Sequence, residues 1–192
     1  MAELSDVMWP PDPIATTRLL LRSSEARDRQ GYVELRCSRE VRRYLGGPMA
    51  REDAERVVPD VPGDRPGAFT VEADGGLIGT VTVDRRDPER PGRLRPQGND
   101  LEVSYLFLPA FWGRGYATEA VAAVLVWVDR ALPGEPVVLC TQSANHASVR
   151  LAERVGFVEE QRFVEFGAEQ WFGVRPPRAQ SDGATRASSA WR

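Results

Sequence analysis

Tyr105-Leu-Phe-Leu-Pro-Ala-Phe-Trp-Gly-Arg-Gly-Tyr-Ala-Thr-Glu-Ala120 decides how this chain is read. An apolar strand runs to Leu108, breaks at Pro109, turns through Gly113 and Gly115, and opens a long helix at Tyr116. Such a junction leaves the first backbone N–H groups of the helix without intrahelical partners and adds the positive end of the helix dipole. It therefore attracts anions, a phosphate above all. The two glycines remove side chains that would hold a ligand off the backbone and permit dihedrals closed to other residues, so the turn can wrap a diphosphate. A bare Gly-x-Gly is equally the mark of a tight strand-to-helix connection whose glycines serve geometry alone. The flanking sequence has to separate the two readings.

Downstream, the helix over residues 116–131 carries Ala117, Ala120, Val121, Val124, Leu125 and Val128 on one face and stops at Leu132-Pro133-Gly134, so it packs on a sheet. Residues 136–141 form a short, nearly all-apolar strand of the kind found in a sheet centre. A second helix covers 147–155 and ends at Gly156, after which 157–166 and 171–175 pair as a closing hairpin across Gly167. Upstream, residues 101–108 follow a loop over 85–98 that mixes Arg, Pro and Gly without periodicity. The arginines of that loop face either solvent or an acidic partner. Residues 68–73 and 77–84 flank Asp74-Gly75-Gly76, a strong hairpin signal. Residues 16–22 read as the first strand, ended by the capping pair Ser23-Ser24, and 28–36, 40–45 and 52–58 as short amphipathic helices before the Pro/Gly-rich loop 59–67.

The fold class is α/β, a mixed sheet with helices on its faces. A single domain spans 16–175, with an N-terminal extension over 1–15 and a disordered tail over 176–192. A dinucleotide-binding βαβ unit does not fit, because Gly-x-Gly-x-x-Gly would need a glycine where Thr118 stands.

Length and composition exclude several functions. With 192 residues, 42% of them apolar, the chain builds one substantial core rather than two enzymatic domains. The net charge of −3, with arginine supplying all 25 basic residues and no basic stripe, argues against a nucleic-acid partner. Cys37, Cys140 and the lone His146 make neither a zinc ligand set nor a disulfide framework, so no metal is expected. Acids and prolines fill residues 1–13 where a leader would need an apolar run, and no stretch reaches membrane-spanning length. The expectation is a soluble, cytoplasmic monomer or homodimer without a membrane partner.

The motif order resembles the GNAT superfamily of acyl-CoA-dependent N-acetyltransferases, and within it the RimJ/RimL-type branch, over residues 14–175. Ala15-Thr-Thr-Arg-Leu-Leu-Leu-Arg22 is similar to that branch's opening strand, and Trp112-Gly-Arg-Gly-Tyr-Ala-Thr-Glu-Ala120 to its cofactor loop. Asn145-His-Ala-Ser148, followed by Glu153-Arg-Val-Gly-Phe157, resembles the second cofactor segment. The resemblance implies a GNAT-like fold, with a mostly antiparallel sheet whose middle strands splay apart, and acetyl-CoA (coenzyme A) as cofactor. It implies that the loop Trp112, Gly113, Arg114, Gly115, Tyr116, Ala117 and Thr118 holds the pyrophosphate, chiefly through the amides from Arg114 to Thr118. The backbone of Leu106, Phe107 and Leu108 would pair with the pantetheine arm as an added strand does, and Asn145 and Ser148 would meet that arm from the other side. The superfamily pattern puts Gln or Arg where Trp112 stands, whereas the RimJ/RimL branch commonly has Trp. Asn145 also reads as a helix cap, with Ser148 in the first turn.

A thioester is already activated, so an enzyme using it has to align an amine, remove its proton and polarise the carbonyl. An alkylammonium of pKa about 10 is mostly protonated at neutral pH, which makes a general base useful. Glu102, in the strand leading to the cofactor loop, is either that base or a strand-edge carboxylate in solvent. Walled by Tyr105 and Phe107, its pKa would rise. A backbone N–H within 106–108 is the candidate for carbonyl polarisation, and Ser148 for protonating the leaving thiolate. Cys140 could carry the acetyl group but has no paired base and reads as packing. His146 reads as a cofactor or substrate contact or as a solvated loop residue, and Trp171 and Phe172 as pocket lining or core. The acceptor is a primary amine, either a peptide N-terminus or a small amine such as a polyamine or an aminoglycoside-type drug. A polycation would want an acidic cleft, for which Glu159, Glu160, Glu165 and Glu169 are available, and a peptide would want a groove framed by loops 59–67 and 85–98. A different class is a regulatory module that keeps the acyl-CoA site without turnover.

Overall fold

Among the described residues, eight strands hydrogen-bond into one sheet in the spatial order β1-β2-β3-β4-β5-β6-β8-β7. Along the chain they are β1 (Ile14–Ala15), β2 (Leu20–Arg22), β3 (Ala68–Ala73), β4 (Gly76–Arg85), β5 (Leu101–Phe107), β6 (Val137–Gln142), β7 (Val158–Glu165) and β8 (Ala168–Arg175). The helices are α1 (Arg29–Cys37), α2 (Arg51–Val57), α3 (Tyr116–Ala131) and α4 (His146–Arg154). This computed structural model describes Leu4 and residues 7–178. Residues 179–192, the greater part of the expected disordered tail, lie outside the described residues. All neighbouring strands are antiparallel except β5 and β6, which run parallel because α3 returns the chain between them.

The apolar stripe of α3 decides which face it buries. Ala120, Val121, Val124, Leu125 and Val128 are buried against Val81, Val83, Leu101, Val103 and Leu139 from three strands. Each buried Val or Leu contributes roughly 1.5–3 kcal/mol. The N-terminal extension joins this core, since Trp9 packs edge-on against Phe69 and Trp127 with ring centroids 5.1 and 6.2 Å away. The opposite face carries α1 and α2, where Val33, Ala54 and Val58 form a smaller cluster. The helix α1 approaches so closely that a Cβ on Gly31 would stand 2.7 Å from Leu77. Tyr32 ties the same helix to β3 through a 3.2 Å contact with Thr70.

Several local expectations change. Of the expected first strand over 16–22 only β2 forms; the residues before it make a turn back to β1, in which the Thr16 N–H donates to the Leu19 carbonyl at 2.9 Å. Its β-branched threonines suit a strand, but the Leu19 N–H donates to the Thr16 hydroxyl at 3.0 Å and stabilises the turn. Ser24 caps no helix; its hydroxyl donates to the Pro62 carbonyl. Residues 40–45 form successive turns rather than a helix, ending at Gly46 and Gly47, both at positive φ. Among the described residues no helix is long and apolar enough to cross a membrane.

Candidate active site

β5 and β6 pair only at Leu101↔Val137 and Glu102↔Val138, although β5 continues to Phe107 and β6 to Gln142. The two central strands therefore splay, and the backbone lining the gap lacks its sheet partner. Which β5 residues face the gap follows from the ladder on the other side. The Leu108 N–H donates to the Ile78 carbonyl at 2.9 Å, and bonding residues alternate along an antiparallel pair. Leu106 and Leu108 thus turn their backbone groups to β4, and Tyr105 and Phe107 turn theirs to the gap. The Phe107 carbonyl is engaged at the gap's open end by the Trp112 indole N–H, 2.7 Å away.

The chain then makes a 3-10 turn at Pro109–Phe111 and enters α3 through Gly115, whose φ of +79° is one that a β-carbon opposes. The first bond at this helix end runs from the Glu119 N–H to the Gly115 carbonyl at 3.0 Å, which leaves the amides of Tyr116, Ala117 and Thr118 ahead of the ladder. Free amides on a glycine turn beside a gap with unpaired backbone suit a ligand that has a diphosphate at one end and an amide-bearing arm at the other.

Across the gap, Asn145 caps α4: its side-chain oxygen accepts the Ser148 N–H at 3.3 Å, and its amide donates to Thr141 Oγ1 at 3.3 Å. Ser148 is buried and accepts a hydrogen bond from the Tyr105 hydroxyl at 2.9 Å. Burial raises the Tyr105 pKa above its ordinary value, only partly offset by Ser148. His146, at the first position of α4, is exposed.

Glu102 lies on the other face of β5. Side chains alternate along a strand, so Tyr105 and Phe107 point into the α3 side with Leu101 and Val103, and neither walls Glu102. Its neighbours are cations. Arg86 Nη1 stands 2.6 Å from Glu102 Oε1, and Arg90 Nη1 3.8 Å from Oε2. Burial still raises the Glu102 pKa above the ordinary carboxylate value, with Arg86 and Arg90 opposing it. The Arg86 side chain is 2% exposed, donates to the carbonyls of Gly92 and Pro91, and lies 5.5 Å over the Phe172 ring. The aperiodic loop thus sends Arg86 and Arg90 to Glu102, and Arg85 and Arg95 to Glu135, pairings that sequence reasoning missed because no spacing within the loop encodes them. Cys140 is on this same face, its pKa pushed up to about 11 chiefly by burial, so the thiol stays protonated at neutral pH. Trp171 is core, and Phe172 is buried beneath Arg86.

Around the mouth, Gln142 Nε2 donates to the Tyr44 carbonyl at 3.2 Å and the Tyr44 hydroxyl to the Ala144 carbonyl at 3.3 Å, which sets the connector between α1 and α2 beside the end of β6. Of the four hairpin acids, Glu159 and Glu169 pair with Arg162, and Glu165 pairs with Arg90.

A model of the acetyltransferase (GNAT) domain matches residues 18–158. The chain belongs to the GNAT acetyltransferase family. The donor in this family is acetyl-CoA. Among curated proteins, the "Uncharacterized N-acetyltransferase YnaD" of Bacillus subtilis is 27% identical over 164 residues, covering 82% of this chain and 91% of that protein. Among solved structures, a GNAT-family acetyltransferase from Bacillus anthracis superposes with a TM-score of 0.71 at 22% identity, over 86% of this chain and 98% of that one. RimL, the ribosomal L7/L12 alpha-N-protein acetyltransferase, solved with coenzyme A, gives a TM-score of 0.65 at 14% identity, over 86% and 98% of the two chains. At such identities these structural likenesses speak for the GNAT fold alone.

Proposed function

We propose that the chain, as one acetyltransferase domain over residues 16–175 of RimJ/RimL type, transfers an acetyl group from acetyl-CoA to a primary amine by direct attack on the thioester. The observation that carries this reading is the splay of β5 from β6, ending in the glycine turn with the free amides of Tyr116, Ala117 and Thr118. Trp112 to Thr118 hold the diphosphate. The exposed backbone of Tyr105 and Phe107, within the segment ending Leu106-Phe107-Leu108, pairs with the pantetheine arm, and Asn145 and Ser148 meet it from the facing side. When bound, the cofactor supplies an acetyl group already activated as a thioester.

The remaining chemistry falls to this chain's residues. Glu102 accepts the proton of the attacking amine, and burial that lifts its pKa brings it nearer the working pH. A gap-facing backbone N–H, that of Phe107 or Tyr105, polarises the carbonyl. Ser148 Oγ accepts from Tyr105, so its own hydrogen is free for the leaving thiolate; the Tyr105 proton replaces it, and as products leave, solvent returns a proton to Tyr105 while Glu102 releases the one it took from the amine. Among acceptors, a peptide N-terminus fits best. Its α-amine has a pKa of about 8, which demands less of a weak base than a side-chain ammonium does. The pairing of Glu159, Glu165 and Glu169 with arginines speaks against a polycation. The free thiols of Cys37 and Cys140 support a reducing cytoplasmic setting.

One observation favours a second reading. A carboxylate bonded to a buried arginine, as Glu102 is to Arg86, also describes a structural ion pair in a module that binds acyl-CoA without turnover. Thiol release from acetyl-CoA over a panel of peptides and small amines separates the two. Turnover whose acid limb disappears in Glu102→Gln supports catalysis by Glu102; tight CoA binding with no turnover on any amine supports the module.

A further inference from the structure

Arg18 spends its whole side chain on the cofactor loop. Its Nε donates to Glu119 Oε2 at 2.7 Å, Nη2 lies 2.6 Å from the same oxygen, and Nη1 donates to the Arg114 carbonyl at 2.8 Å. The guanidinium also stacks over Tyr116, 4.5 Å from the ring centroid. Glu119 is held in turn by the Arg18 backbone N–H at 3.0 Å and the Thr16 hydroxyl at 2.6 Å. Burial works to raise the Glu119 pKa, but these hydrogen bonds outweigh it, so the group is a carboxylate at neutral pH.

The bond to Arg114 has a consequence for anion binding. The Arg114–Gly115 peptide is trans, so its N–H points opposite to its C=O. An anion beside the loop is attracted by the hydrogen and repelled by the oxygen, and a flip of this one peptide plane exchanges them. Gly115, free of a β-carbon, opposes such a flip very little. We propose that Arg18 is a positioning residue that locks this peptide with its carbonyl turned to the guanidinium and its N–H presented to the coenzyme's diphosphate, with Glu119 and Thr16 holding Arg18 in place. The inference rests on the reading of the loop as the diphosphate site and adds the device that orients it. Lysine cannot replace Arg18, because a single ammonium cannot reach Glu119 and the Arg114 carbonyl while covering Tyr116.

The test is calorimetric binding of free CoA to the wild type, Arg18→Lys, Glu119→Ala and Thr16→Val, with melting temperatures recorded for each and KM and kcat measured wherever turnover is found. Arg18→Lys keeps the charge and is expected to bind CoA about tenfold more weakly. Glu119→Ala removes a negative charge from beside an anion site, which by charge alone would tighten binding; the lock requires that it weaken binding, also about tenfold. The smaller change Thr16→Val is expected to weaken it about threefold and serves if either other variant fails to fold. Any kinetic loss falls on KM for acetyl-CoA rather than on kcat. Variants that bind within twofold of the wild type, or a Glu119→Ala that binds more tightly, overturn the lock and leave the donor reading standing. A folded wild type that binds no CoA overturns both.

Discussion

The Tyr105 hydroxyl and Ser148 Oγ meet at 2.9 Å, one from β5 and the other from the first turn of α4, so a side-chain hydrogen bond ties the two walls of the gap together. Ser148 sits deep enough to lose water as an alternative partner, and Tyr105 is its donor. If the pair protonates the leaving thiolate as a relay, either hydroxyl is useless without the other. Tyr105→Phe and Ser148→Ala are each expected to lower kcat by about 100-fold, and the double variant by no more than either alone. Steady-state kinetics at saturating acetyl-CoA measure this; losses that multiply would show two independent roles.

The Arg86–Glu102 pair gives a second expectation. Arg86 pulls the Glu102 pKa down against burial, so removing it lets that pKa climb further above the ordinary carboxylate value. In Arg86→Gln the acid limb of kcat/KM therefore moves to higher pH, and activity at neutral pH falls. Stability falls by about 3 kcal/mol as well, because a largely buried carboxylate loses the nearer of its two arginines. A pH–rate profile beside a urea titration reads both. A fall in stability with an unmoved limb would mark Glu102 as structural.

What was legible in the sequence divides by range. The stripe of α3, the Asp74-Gly75 hairpin and the glycine turn after Pro109 are written in residues close together, and they form as read. The parity that puts Glu102 opposite Tyr105 is also written there, since an odd spacing along a strand separates two faces. The partners that make the candidate site are not local. Tyr105 and Ser148 are 43 residues apart, and Arg18 and Glu119 are 101 apart. That Arg86 and Arg90 turn inward depends on the loop closing over β5, where the pairs Arg86–Glu102 and Arg90–Glu165 offset the cost of taking the two guanidiniums out of water. No spacing within residues 85–98 encodes that.

Asp28 offers a pH test of stability remote from catalysis. Both its oxygens are bound by Arg22, at 2.7 and 2.9 Å, and the Glu25 N–H donates to it at 2.7 Å. Burial works to raise its pKa, but the bonds from Arg22 and Glu25 hold it below the ordinary value. A carboxylate with a depressed folded pKa stabilises above its unfolded pKa, about 4, and that contribution is lost as pH falls through the lower folded value. Asp28→Asn is therefore expected to cost about 3 kcal/mol at pH 7, with the gap to wild type steady down to about pH 5 and shrinking below about pH 4. Urea midpoints at several pH values check the shape; a gap independent of pH would mean the loss is one of packing.

Gly79 controls how closely β4 approaches the strand that lines the gap. It stands opposite Phe107 in the β4–β5 register, and a Cβ there would lie 2.5 Å from the Leu106 carbonyl oxygen and 2.7 Å from the Phe107 ring. The ring could swing, but the carbonyl belongs to the ladder and cannot yield alone. Gly79→Ala must then push the end of β5 toward β6, narrowing the gap and shifting the Phe107 carbonyl that Trp112 holds. Overpacking of this kind costs about 1–3 kcal/mol. The expected result is a lower melting temperature together with CoA affinity reduced about tenfold, measured by calorimetry on the folded variant. Unchanged affinity with reduced stability would show that the strand yields elsewhere and that the width of the gap is set by β6.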